Sequence, residues 1–210
     1  MKPEKFWDSM ANKFDKTEKR LEKIFIKVLK NTKKYLNVSD VVLDYGCGTG
    51  LICNEIAGNV KKIYAIDISS KMLDMAKRKA IERNIENVDF AQADIFDTKY
   101  QKESFNVILA FGILHLLEDN KQVIQRISEL LKPEGLFISS TPCLAEKMAL
   151  STKFQFYPYL LLYKIGLIPS MERFKISELY DLINTGKFQI VETEIIYNKI
   201  TGYFNVAKKI

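Results

Sequence analysis

Cysteine, histidine and tryptophan are scarce in this chain of 210 residues: three, one and one. Cys47, Cys53 and Cys143 form no C-x-x-C pair and no cluster at ligand spacing. Neither a disulfide framework nor a zinc or other metal site is expected from them. His115 is the single imidazole on which histidine chemistry could rest. Long hydrophobic runs are missing too. The longest, Phe154 to Pro169, is broken by Pro158, Lys164 and Gly166 and is too short to cross a bilayer. The opening Met-Lys-Pro-Glu-Lys has no apolar core behind it, so no secretory signal and a cytoplasmic location are expected. There is no low-complexity linker and no internal repeat. One domain is expected over residues 1–210, long enough for a complete doubly wound sheet.

The net charge is +6. Much of it lies between Lys16 and Lys34, where Leu21, Ile24, Phe25, Val28 and Leu29 recur at helical spacing and lysines fill the other side. That pattern reads as an amphipathic helix with a solvated face, with peripheral contact to an anionic membrane as the functional alternative. No RNA-binding motif is present, so no nucleic-acid partner is expected. The oligomeric state is left open.

The rest of the chain alternates strand and helix. A helical region is expected over about Phe6 to Leu36, then strands at Val41 to Asp44, Ile63 to Ile66, Val88 to Ala93, Phe105 to Ala110 and Leu136 to Ser140. Helices fall between them. One runs from Leu51 to Ala57, one follows the caps Ser69 and Ser70, and one follows Asp119. Five strands so connected imply a parallel sheet with right-handed crossovers. After a helix at Glu178 to Asn184, strands Ile190 to Tyr197 and Tyr203 to Ala207 have only a short link between them, which makes an antiparallel hairpin. The expected class is α/β, a Rossmann-like doubly wound sheet, mostly parallel, ending in that hairpin.

The chemistry concentrates at Asp44-Tyr-Gly46-Cys47-Gly48-Thr-Gly50 and at Asp67. A buried strand runs into three alternate glycines, and a second strand ends 23 residues on in a carboxylate. This is about where an acidic group reaches a ribose in a nucleotide-binding βαβ unit. The glycines separate two ligand classes. A dinucleotide turn reads G-x-G-x-x-G, but position 51 is Leu51. Asp44, two residues before Gly46, would repel a pyrophosphate and attract an amine. A ligand with adenosine and amino-acid ends, S-adenosylmethionine (SAM), suits it better.

This stretch resembles motif I of class I SAM-dependent methyltransferases, in its form D-x-G-C-G-T-G. The resemblance runs from about Trp7 to the C-terminus, apart from Cys143 to Lys175, and is closest to the small-molecule enzymes, including those of quinone biosynthesis. It implies SAM as cofactor and a binding set of Trp7, Phe14, Asp44, Gly46, Cys47, Gly48, Asp67, Ile68, Met72, Asp94, Ile95 and Phe111. Asp44 would receive the methionine amine, Asp67 the ribose hydroxyls, and Asp94 the adenine amino group, with Ile95 offering a backbone contact. Ile68 and Met72 would pack on the adenosine. Cys47 itself reads as the small residue that the turn requires. Phe6-Trp7-Asp8, Ala11 and Phe14-Asp15 match a family pattern whose segment folds over the cofactor, making residues 1–36 a helical lid.

The only candidate base is His115, in a stretch similar to the family's x-x-L-H-x-x-x-D. An orienting or packing role competes with catalysis there. Asn106 replaces a common Asp at a strand start away from the ligand. The absence of [DNS]-P-P-[YFW] after the fourth strand excludes the usual base and glutamine methylators, and no magnesium-binding carboxylate set is evident. Residues 143–176 are expected as a helical insertion over the acceptor, rich in Phe and Tyr. The alternatives are a core cover or a dimer face. The expected acceptor is a small, lipophilic or aromatic molecule methylated at O, N or C by in-line displacement. A non-catalytic SAM-binding protein and a Rossmann-type NAD oxidoreductase are the rivals.

Overall fold

A computed structural model describes residues 2–18, 22–146, 168–169, 171–197 and 200–210. The N-terminal region divides into α1 (Pro3–Glu18) and α2 (Glu22–Lys33). Then come β1 (Val41–Tyr45), α3 (Leu51–Ile56), β2 (Lys62–Asp67), α4 (Ser70–Glu82), β3 (Val88–Gln92) and β4 (Phe105–Phe111). The chain continues through α5 (Asn120–Leu130), β5 (Leu131–Pro142), α6 (Ile176–Asn184), β6 (Phe188–Tyr197) and β7 (Thr201–Lys209).

The seven strands form one sheet in the order β3-β2-β1-β4-β5-β7-β6. The β1, β2, β3, β4 and β5 pairings are parallel, whereas β7 pairs antiparallel with both β5 and β6. The order reverses at β1, and ligands of open α/β sheets bind beyond the carboxyl ends at such a point. Side chains alternate across the strands, and two cores result. Leu43, Ile66, Ile108 and Phe137 pack towards α5 and α6. Val42, Ile63, Leu109 and Ile138 pack towards α2 and α3.

The expected fold class holds, with differences at element ends. β5 begins five residues before the expected Leu136, because Leu131 pairs with Phe105 ahead of a register slip in which Pro133 and Gly135 sit. Proline and glycine mark a bulge there rather than a strand end. β6 and β7 are each longer at both or one end than the apolar residues suggested, since edge pairing continues through Gln189 and Lys208. α2 docks on the edge strand through polar contacts. Lys27 and Lys34 pair with Glu194 and Glu192, and Asn31 and Tyr35 donate to the same two carboxylates. Part of the basic face is therefore used within the fold. Asn106 is also structural: its Oδ1 accepts from Val41 N and Lys132 Nζ. Among the described residues no helix is long and apolar enough to cross a membrane.

Candidate active site

β1 ends at Tyr45, and the chain turns back at once. Gly46, Gly48 and Gly50 have φ of +73°, +53° and +76°. This left-handed region disfavours side-chain-bearing residues, so the sequence needs glycine at these points. The N–H groups of Gly46 and Cys47 both donate to Ile66 O, at 2.8 and 3.0 Å, which ties the turn to the end of β2. Gly50 serves a different purpose. A Cβ there would lie 2.8 Å from Ala76 Cβ, so its absence lets α4 close onto the start of α3.

The two acids differ. Asp67 is held at the surface of the turn: Oδ2 accepts from Gly48 N at 2.9 Å and Oδ1 from Ser69 N at 2.8 Å. Burial raises its pKa, while the N–H groups of Ser69, Gly48 and Ile68 oppose the rise. Asp44 is 2% exposed, and its Oδ2 has no hydrogen-bond partner among the described residues. Burial pushes its pKa up to about 7, a hydrogen bond from the Cys53 thiol pulls it down, and the charge of Asp67 adds to the rise. A buried carboxylate with an unused acceptor oxygen is a site prepared for a cation.

The other expected residues group around this pair. Phe14 lies over the turn, where a Cβ on Gly48 would be 3.5 Å from its ring, and Trp7 meets Phe14 edge-on at 6.3 Å. Cys47 is buried within the turn. Ile68 is half-buried, and its carbonyl accepts from Gln92 Nε2. Met72 is buried in the first turn of α4, where its N–H donates to the cap Ser69. Asp94 is exposed beyond β3, with Oδ1 accepting from Phe96 N; burial raises the Tyr45 hydroxyl pKa and the charge of Asp94 adds to the rise. Ile95 is fully buried and its carbonyl accepts from Arg126. Phe111 is half-buried at the end of β4.

His115 lies in a short 3₁₀ turn, Leu114–Leu116, after β4. Its Nδ1 is buried without a partner among the described residues, and burial lowers its pKa to about 4. One residue escaped the sequence reading: Ile113 fills the space above Gly46, 2.3 Å from where a Cβ would stand. Only its adjacency to His115 could have pointed to it. Asp8, expected as part of the family pattern without a role of its own, joins α1 to the start of α4. Most of the expected insertion, residues 147–167, lies outside the described residues. Its two ends meet where Ala145 N donates to Phe174 O, and Cys143 N ties its start to Thr201 O of β7. No group of three metal-ligating side chains occurs among the described residues.

A profile of the family described as Methyltransferase domain matches residues 36–185. The chain belongs to that family. It is a class I SAM-dependent methyltransferase. The ubiquinone biosynthesis O-methyltransferase of Coxiella burnetii is 24% identical over 178 residues, covering 80% of this chain and 72% of that protein. Its counterpart in Actinobacillus pleuropneumoniae is 33% identical over 105 residues, 48% of this chain and 44% of that one. In fold, the chain is similar to geranyl diphosphate C-methyltransferase from Streptomyces coelicolor, solved with magnesium, geranyl diphosphate and S-adenosyl-L-homocysteine. The TM-score is 0.72 at 13% identity, over 91% of this chain and 80% of that one. The methyltransferase's own residues fit SAM: the unused oxygen of Asp44 suits an ammonium, and the turn carries no Cβ at its alternate positions Gly46, Gly48 and Gly50.

Proposed function

We propose that this methyltransferase acts on a small, apolar or aromatic acceptor, and that Asp44 and Asp67 are the two polar anchors of its cofactor. The observation that carries the reading is the pairing of a buried, unpartnered Asp44 oxygen with Asp67 one strand away across the glycine turn. Asp44 would hold the methionine amine, and Asp67 the ribose hydroxyls through charge-assisted bonds of about 1.5–3 kcal/mol each. Gly46, Cys47 and Gly48 would offer backbone, Ile68, Met72 and Phe111 apolar surface, and Asp94 with Ile95 the adenine contacts. When bound, SAM supplies a methyl group on a sulfonium, a good leaving group. The protein's share is then to orient the acceptor and exclude water, and positioning of this kind can supply about 7–11 kcal/mol of barrier reduction.

Trp7 and Phe14, on the helical lid of residues 1–36, would exclude water from the methionine end. Residues 143–176 would cover the acceptor. His115 would orient or pack rather than abstract a proton, since an imidazole held at a pKa of about 4 is a weak base at neutral pH. The small-molecule relatives support the acceptor class. Three buried free cysteines fit a reducing, cytoplasmic location. Calorimetry with SAM, S-adenosylhomocysteine and NAD tests the cofactor reading. The first two should bind and NAD should not; NAD binding with no SAM signal would overturn it. Incubating a metabolite extract with methyl-labelled SAM and finding label in a nucleic acid or protein instead of a small molecule would overturn the acceptor class.

A further inference from the structure

Asp8, on the inner side of α1, accepts a hydrogen bond from Ser69 Oγ at 2.6 Å and a longer one from Lys71 N at 3.3 Å. Both donors stand at the N-terminus of α4, and Ser69 is its cap, with Oγ accepting from Met72 N at 3.2 Å. The N–H of Ser69 in turn donates to Asp67, whose other oxygen takes Gly48 N. A continuous run of hydrogen bonds thus leads from α1, through the cap and the β2 carboxylate, to the glycine turn. The same helix closes the circuit from its other end, because Phe14, six residues after Asp8, lies over Gly48. Glu4 adds a third point on Gln92 Nε2, which also donates to Ile68 O. Positions 4, 8 and 11 share one helical face, and Ala11 is 2% exposed at its centre.

We propose that Asp8 is a positioning residue that docks α1 onto the cap of α4 and so sets how long the cofactor stays in its site. The proposal rests on the cofactor reading above. A carboxylate is favourably placed at the N-terminus of a 13-residue helix, and its charge makes the bond from the serine hydroxyl a charge-assisted one. Asp8 touches neither the glycine turn nor Asp44. Its removal leaves both anchoring acids in place and frees the helix that carries Trp7 and Phe14. Escape of the ligand is therefore quickened more than its capture is slowed. A purely electrostatic role predicts the opposite sign. The charge of Asp8 opposes ionisation of Asp67, so neutralising it would favour the anionic anchor and tighten binding.

Trp7 is the sole tryptophan and lies on this helix, so its fluorescence reports the event directly. Stopped-flow release of S-adenosylhomocysteine from the full chain should quicken by about tenfold in Asp8→Ala, and by about threefold in the isosteric Asp8→Asn. KM for SAM should rise in step, while kcat falls by less than about threefold. Adding Ser69→Ala to Asp8→Ala should quicken release by less than about twofold more, because the two act as one contact. Asp8→Asn carries the test if the alanine variant misfolds. Unchanged or slower release in a folded Asp8 variant, or a fall in kcat without a rise in KM, would overturn the proposal. Absence of ligand binding to the wild-type chain would instead overturn the cofactor reading beneath it.

Discussion

The turn after β1 and the face shared by β5 and β7 treat their polar groups in opposite ways. Around the turn nearly every group is paired within the chain: Gly46 and Cys47 on Ile66, Gly48 and Ser69 on Asp67, Met72 and Asp8 on Ser69. One oxygen of Asp44 is left over, as is Oδ1 of Asn54 in α3, among the described residues. On the other face, Ser139 and Asn205 stand opposite each other across the antiparallel pair, with Thr141 two residues along. All three are at most 1% exposed, yet Thr141 Oγ1 and both amide atoms of Asn205 lack partners among the described residues. His115 Nδ1, in the turn after β4, shares that condition. A region that meets one fixed ligand gains from being set in advance by its own hydrogen bonds. The second region keeps polar capacity that the described residues do not use.

Removing the fixed anchor should have the largest effect. Asp67→Ala should weaken SAM binding by about 10- to 1,000-fold, measured by calorimetry. It also strips partners from Gly48 N and Ser69 N, so the unfolding midpoint should fall by several degrees. Unchanged affinity in a folded variant would mean that Asp67 is not the ribose ligand.

The leftover oxygen makes the next prediction one of pH. The folded pKa of Asp44, about 7, is above its ordinary value of 3.8. In the free protein the group therefore favours stability at low pH, and that contribution is lost as pH rises from about 4 through 7. Ligand binding runs the other way, because an ammonium wants the ionised acid. SAM affinity should be level above pH 7 and fall by up to about tenfold per unit below it. Asp44→Asn should bind weakly at every pH, with that slope gone. A slope that survives the substitution would assign the proton elsewhere.

His115→Ala should lower turnover by less than about tenfold, as orientation supplies most of the rate. With a pKa depressed to about 4, the imidazole should contribute no acid limb between pH 5 and 8 in the wild type. A loss above a hundredfold, together with disappearance of an acid limb, would make it the general base after all. The smallest effect is expected at Asn205. Replacing it by Leu removes two unpartnered polar atoms, each costing about 1–3 kcal/mol when buried, so the midpoint should hold or rise by a few degrees. A drop of more than about 5 °C would show that the amide has a partner and erase the contrast between the two regions.

The turn was legible because its requirements are local. Positive φ at Gly46 and Gly48 and a carboxylate at a strand end can be read in a short window. The parallel sheet followed from helices alternating with apolar runs, and the hairpin from a link too short for a helix, whereas the strand order appears only in the structure. What escaped depends on partners distant in sequence. Nothing near Asp8 announces Ser69, 61 residues away. Nothing near Asp44 shows that its side chain is buried beside Cys53 with one oxygen left unpaired. The low basicity of His115 comes from burial, which no spacing encodes. The early start of β5 was hidden because Pro133 and Gly135 punctuate a strand and a bulge alike.

The parallel register that sets Asp44 opposite Ala65 puts Asp67 two residues further along the neighbouring strand. The gap between the acids is therefore a length of backbone, fixed by ladder bonds and by two N–H groups sharing Ile66 O. It works as a caliper whose jaws do not depend on the identity of the side chains between them. Substitutions may accumulate along both strands without changing the setting, whereas inserting or deleting one residue in either would move a jaw by about 3.3 Å and turn it to the other face of the sheet. Drift in composition is cheap here, and drift in length is not.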